Sequence, residues 1–256
     1  MPRAPRRFPA GPAMVSSLLV LAAVVYLLYR TPGDVGRAPA GEGFVRVVSW
    51  NMAEEGPAGL SEKAVADLLR ESSADAVCLQ GLSSDKNAAG IASRLGPDWK
   101  VQPVPGPSGR YLVVLAGPRL EVAAYHLVPT PVGDAVALTL RRPGRQSFHV
   151  VCVGAAAETG PADPTERYLA AVLAWCDAHP AALTVLAGRV NTDADLGADI
   201  RQRLDERFVQ VAASEAPAGE IRVGPPTTPV TQGGAITVDT AAGGTATLAV
   251  ADVAVP

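Results

Sequence analysis

The stretch "DAVCLQGLSS", Asp75 to Ser84, decides how the rest of the chain is read. Ala76 to Leu79 is a short apolar run and predicts a buried strand. The run ends in Gln80 and then Gly81. A carboxamide at the end of a buried strand points toward the sheet edge, where α/β folds place their sites.

Working outward, "FVRVVSW" (Phe44–Trp50) reads as a strand that is apolar on both faces. "SEKAVADLLRES" reads as a helix capped by Ser61, with Ala64, Val65, Leu68 and Leu69 on one face. "SDKNAAGIASRLG" predicts a second helix, capped by Ser84 and stopped at Gly96-Pro97. Short strands separated by Pro/Gly turns follow: "WKVQPV", "RYLVVLA", "LEVAAYHL", "DAVALTLRR" and "SFHVVCVG". "DPTERYLAAVLAWCDAH" predicts a third helix, with Pro164 in its first turn. "ALTVLAG" is a buried strand and "LGADIRQRLDERF" a short fourth helix. "GEIRVGPPTTPVTQGG" reads as a loop, and "AITVDTA" and "TATLAVADVAV" as closing strands. The order predicts an α/β fold. Two mixed sheets form a four-layer α/β/β/α sandwich with helices on the outside.

The N-terminus has its own character. Residues 1–12 are basic, and Ala13 to Tyr29 carry no charge. As a helix this segment reaches about 25 Å, slightly short of a bilayer core. Arg3, Arg6 and Arg7 precede it, which keeps the N-terminus cytoplasmic and exports the remainder. The reading is a plasma-membrane signal-anchor. A cleaved signal peptide competes, with Ala38-Pro39-Ala40 as a cleavage site far beyond the apolar run. Residues 30–43 read as a Pro/Gly-rich tether, and 44–256 as one domain.

The net charge is −3, but residues 1–43 hold five arginines against Asp34 and Glu42, so the domain carries −6. With aromatics at 5% and no basic stripe, this balance counts against nucleic acid as a partner. The Ala, Val, Gly, Pro and Arg content points to a GC-rich bacterial source. Cys78, Cys152 and Cys176 fall in apolar runs without zinc spacing. They read as buried small hydrophobes, with one disulfide chemically available outside the cytoplasm.

Three apolar strands end in carboxamides: "VVSWN" in Asn51, "VCLQ" in Gln80 and "VLAGRVN" in Asn191. Such groups orient phosphates, waters or carboxylates through both donors and acceptors. In order and spacing, "SWN" (Ser49–Asn51), "DAVCLQG" (Asp75–Gly81), "HVVCVGA" (His149–Ala155), "AGRVNT" (Ala187–Thr192) and the terminal "ADVAVP" resemble the motifs of the endonuclease/exonuclease/phosphatase superfamily, as does "RYLVVLAGPRLEV" (Arg110–Val122). The resemblance covers most of Val45 to Pro256 and implies the same sandwich.

The resemblance also implies what is missing. The family's Mg²⁺-binding glutamate falls at Gly81. The aspartate of its "GD-x-N" falls at Arg189, its N-T-H histidine at Gly154, and its "S-D-H" histidine at Val253, which leaves Asp252 with nothing to orient. Asn51, Gln80 and Asn191 survive. Mg²⁺ wants carboxylate oxygens, and phosphoryl chemistry needs the metal and a base. Arg189 would repel a metal and could hold an anion. The expectation is therefore a membrane-anchored, extracytoplasmic pseudoenzyme with no cofactor, binding an unidentified protein or anionic ligand.

The alternative is an active Mg²⁺-dependent phosphodiesterase or phosphatase with relocated ligands, for which Glu54 and Asp193 are candidates and Glu55 and Asp195 lie close by. "NTDADLG" lacks the sixth-position glycine and twelfth-position acid of a calcium loop. His126, His149 and His179 fall at no family catalytic position and read as packing residues.

Overall fold

The computed structural model describes residues 40–52, 60–107, 109–154, 163–189, 196–213, 220–239 and 245–256. Ala13–Tyr29 lies outside them. Among the described residues, no helix is long and apolar enough to cross a membrane.

The chain runs β1 (Phe44–Asn51), α1 (Glu62–Glu71), β2 (Ala76–Leu82), α2 (Asp85–Leu95), β3 (Lys100–Pro105), β4 (Tyr111–Ala116), β5 (Glu121–Val128), β6 (Ala135–Arg141) and β7 (Ser147–Val153). It continues through α3 (Asp163–Ala178), β8 (Thr184–Gly188), α4 (Ala198–Arg207), β9 (Val209–Ala213), β10 (Glu220–Gly224), β11 (Val230–Asp239) and β12 (Thr245–Ala254). Ser61 and Ser84 cap α1 and α2 as expected. Their hydroxyls accept from the Ala64 and Asn87 amides at 3.2 Å. Gly96 closes α2 at φ +141°.

The strands form two six-stranded sheets, ordered β11-β12-β1-β2-β4-β3 and β5-β6-β7-β8-β10-β9. Each contains one parallel pair, β1–β2 in the first and β7–β8 in the second. The two orders match position by position. Each half is an antiparallel hairpin, a β-α-β crossover, and a second helix leading to another antiparallel pair.

Strand alternation assigns the layers. Val45, Val47, Ala76 and Cys78 meet Leu138, Val150, Cys152 and Val185 between the sheets. On the outer face of the first sheet, Val48, Trp50, Val77 and Leu79 pack under Val65, Leu69 and Ile91 of α1 and α2. On the outer face of the second, Val151, Val153 and Leu186 pack under Tyr168, Val172, Ile200 and Leu204 of α3 and α4. The four-layer arrangement agrees with the sequence reading.

One sequence expectation is corrected here. Glu220–Gly224 is strand β10 rather than loop, β9 pairs with it, and Val230–Gly234 of the same expected loop belongs to β11. Ile221 and Val223 face the inter-sheet core, while buried Glu220 and Arg222 face outward. Those charges hide the strand in the sequence. They are tolerated because they pair, with Arg222 Nε 2.8 Å from Glu220 Oε1 and Arg222 Nη1 3.2 Å from Asp205.

The three histidines gather at Trp175. Its ring centroid lies 5.3 Å from His126, 5.4 Å from His149 and 4.5 Å from His179, the last stacked. Thr139 Oγ1 bridges His126 Nε2 (2.8 Å) and His149 Nδ1 (3.1 Å). Burial lowers the pKa of His126, helped by the charge of His179. Burial also lowers that of His149, helped by His126 and His179.

A lowered imidazole pKa means that the unfolded chain binds more protons. The contribution to stability is complete above about pH 6.5 and is lost as pH falls below it. The urea midpoint should fall between pH 7 and pH 5, and His149→Gln should flatten that dependence. An equal slope in the variant would remove the cluster as its source.

Candidate functional site

The carboxyl ends of the two parallel pairs, β1–β2 and β7–β8, build the candidate site, as expected for a parallel-strand switch point. Asn51 and Gln80 are register partners at the ends of β1 and β2, and both are buried. The Met52 amide donates to the Gln80 carbonyl at 2.9 Å, which locks the ends together. Gln80 continues the row Ala76, Cys78, so its side chain enters the inter-sheet layer. Its Nε2 lies 3.0 Å from the Cys78 carbonyl and 3.4 Å from both Ser49 Oγ and Cys152 Sγ. Gln80 therefore reaches across to the second sheet. Among the described residues, its Oε1 has no hydrogen-bond partner.

Gly81 stands at φ +81°, and the β2–β4 ladder shifts register between Leu79 and Leu82. The backbone bulges at the position to which the resemblance assigns the family's glutamate. A non-glycine side chain at that φ is strained. Arg110 Nη1 donates to the Gly81 carbonyl at 3.2 Å and holds the bulge.

From the second sheet, Gly154 follows β7. A Cβ there would stand 2.7 Å from Leu112 Cδ2. Leu112 is on β4 and buried, and the tip of its side chain would have to shift to admit that Cβ. The Gly154 amide donates to the Tyr168 hydroxyl at 3.2 Å. Burial raises the phenol pKa, so Tyr168 stays neutral. Sequence reading missed both residues. Tyr168 is one polar group on an apolar helix face, and Leu112 one leucine in an apolar strand.

Arg189 directly follows Gly188, whose partner in β7 is Val153. This puts it on the same edge as Gly154. It is partly buried, and burial pushes its pKa down from the ordinary arginine value. Arginine is charged across the physiological range even so.

Asp252 does not join this site. It pairs with Arg46 near the start of β1, whereas Asn51 is at the other end, five residues or about 16 Å along the strand. Its carboxylate also lies on the outer face of the sheet. Arg46 Nε and Nη2 each donate to it at 2.7 Å, and Arg46 Nη1 caps the carboxyl end of α1 through the Ser72 carbonyl at 3.0 Å. The neighbouring Val253 lies in the inter-sheet core. The reading of "ADVAVP" as the family's last motif is corrected accordingly. Because β12 runs antiparallel to β1, the end of β12 that reaches the amides is its start, near Thr247.

Asn191, Glu54, Glu55, Asp193 and Asp195 lie outside the described residues. At the described positions, a Mg²⁺ ion would meet two neutral amides, two glycines and a guanidinium. That donor set does not fit a hard dication. Among the described residues, no group of three or more His, Cys, Asp or Glu could hold a metal ion.

No protein-family model matches the chain, and no curated protein matches it in sequence. Solved structures do match. An endonuclease/exonuclease/phosphatase from Bacteroides vulgatus superposes with a TM-score of 0.67 at 13% identity, covering 83% of this chain and 99% of that one. One from Beutenbergia cavernae gives 0.66 at 19% identity, covering 84% and 72%. D. rerio TDP2, complexed with a single-strand DNA product, gives 0.66 at 12% identity, covering 83% and 99%. The chain has the endonuclease/exonuclease/phosphatase fold.

Proposed function

We propose that this chain, on an endonuclease/exonuclease/phosphatase fold, is a non-catalytic binding domain. Ala13–Tyr29 tethers it to the plasma membrane with residues 44–256 on the extracytoplasmic side. Its strand-end cleft takes an anionic group, either on a small ligand or on a partner protein. The carrying observation is the chemistry of the strand ends. The positions to which the resemblance assigns the metal-binding glutamate and the N-T-H histidine are Gly81 and Gly154, and Gly81 has a left-handed backbone that disfavours a side chain there.

The remaining chemistry suits recognition. Arg189 supplies a partly desolvated cation with a planar fork of donors. Asn51 and Gln80 bring amides to the same edge. Loss of one catalytic acid or base typically costs about 10²–10⁴ in rate, and the resemblance puts Arg189 and Gly154 at two catalytic positions and Gly81 at the metal ligand. The −6 charge of the domain gives nucleic acid no general electrostatic attraction.

The test is a calorimetric titration of Mg²⁺ and Mn²⁺ into the full-length chain in detergent. No saturable binding below about 1 mM is the expected result, since a site of amides and a cation lacks the charge that tunes divalent affinity. Saturable sub-millimolar binding that Glu54→Gln or Asp193→Asn abolishes would overturn the proposal. It would establish the metal-dependent phosphodiesterase or phosphatase instead.

A further inference from the structure

Beneath the cleft, two cysteines face each other across the sandwich. Cys78 lies in the row Ala76, Cys78, Gln80 of β2, and Cys152 in the row Phe148, Val150, Cys152 of β7. Both are free and fully buried. The Cys152 side chain is close enough to act on the Cys78 thiol. Cys152 Sγ also lies 3.7 Å from the Leu79 carbonyl and 3.4 Å from Gln80 Nε2, so the sulfur from one sheet rests on the strand of the other. A disulfide needs Cα atoms about 4.4–6.8 Å apart, and β2 and β7 already approach within 8 Å. Cys176 is on α3, in the core on the outer side of the second sheet, and reaches neither.

We propose that Cys78 and Cys152 form a disulfide that joins the two sheets directly under the Gln80 end of the cleft. The inference is independent of what the cleft binds. Each thiol gives up its hydrogen and an S–S bond forms between them. The two electrons pass to a small-molecule disulfide such as oxidised glutathione, whose own S–S bond breaks to give two thiols.

Burial raises the Cys78 thiol pKa well above its ordinary value, so the closed sandwich holds little reactive thiolate. Exchange therefore takes place while the sheets are still open, during folding. Once closed, the bridge is shielded from reductants by the same packing. It ties strands that are distant in sequence, the case in which a cross-link most restricts the unfolded chain.

The test refolds the full-length chain, in detergent, from reduced denatured protein into a glutathione redox buffer. Acid quench, alkylation under denaturing conditions and non-reducing digestion follow. The expected product is a Cys78 peptide linked to a Cys152 peptide, with Cys176 alkylated, in both the parent chain and Cys176→Ala. Reduction should lower the Tm by about 10 °C. In Cys152→Ala, Cys78 should be alkylated and reduction should leave the Tm unchanged. Alkylation of all three cysteines in the refolded parent, or any bridge through Cys176, overturns the proposal.

Discussion

Asp252→Ala lowers the unfolding free energy by about 3–5 kcal/mol, the cost of leaving one partner of a buried ion pair uncompensated. Arg46 is almost wholly buried, and Asp252 takes two of its N–H groups at 2.7 Å. Without the carboxylate, the guanidinium keeps the Ser72 carbonyl but loses the two short charged contacts that Asp252 supplies. Asp75 cannot replace it. Its Oδ2 already accepts the Arg46 backbone amide at 2.9 Å and its Oδ1 faces Arg119 at 3.2 Å. Urea unfolding of the single variant checks the figure. Arg46→Met combined with Asp252→Leu should cost far less, because apolar side chains leave no buried charge behind. A cost below about 1 kcal/mol for Asp252→Ala, the level of an exposed pair, would mean that the aspartate does not hold this end of the sheet.

Gly188→Ala is the second large effect. Gly188 sits at φ +140°, and a Cβ there would overlap the Val153 backbone carbonyl oxygen. The obstacle is backbone in the β7–β8 ladder, so no side-chain rotation relieves it. Strain at such a φ costs about 1–3 kcal/mol by itself, and displacing the ladder adds to it. The expected loss is at least about 3 kcal/mol by urea unfolding. Gly144→Ala is the control, with a positive φ of +76° but nothing within 4 Å of the added Cβ. It should cost only the backbone strain. Equal losses would assign the effect at Gly188 to φ alone.

Much of this architecture is readable in the sequence. Apolar runs such as Ala76–Leu79 announce strands buried on both faces, and Ser61 and Ser84 mark helix starts through local chemistry. The strand-end amides were legible for the same reason, since a polar residue closing an apolar run is a one-dimensional signal. What stayed hidden is tertiary. β10 carries Glu220 and Arg222 on a buried face, where their pairing with each other and with Asp205 makes them tolerable. Asp252 falls near a family motif in sequence, but an antiparallel strand puts the end of the chain away from the site. Leu112 packs against Gly154 from a strand some forty positions earlier, and no pattern along the chain links the two.

The left-handed turn at Gly81 also bears on how an acidic side chain could be installed at these strand ends. A glutamate at Gly81 would meet a positive φ and a carbonyl already taken by Arg110. At Gly154 a new Cβ meets only the tip of the Leu112 side chain, which can give way. A designed metal ligand would therefore cost less after β7 than at the β2 bulge.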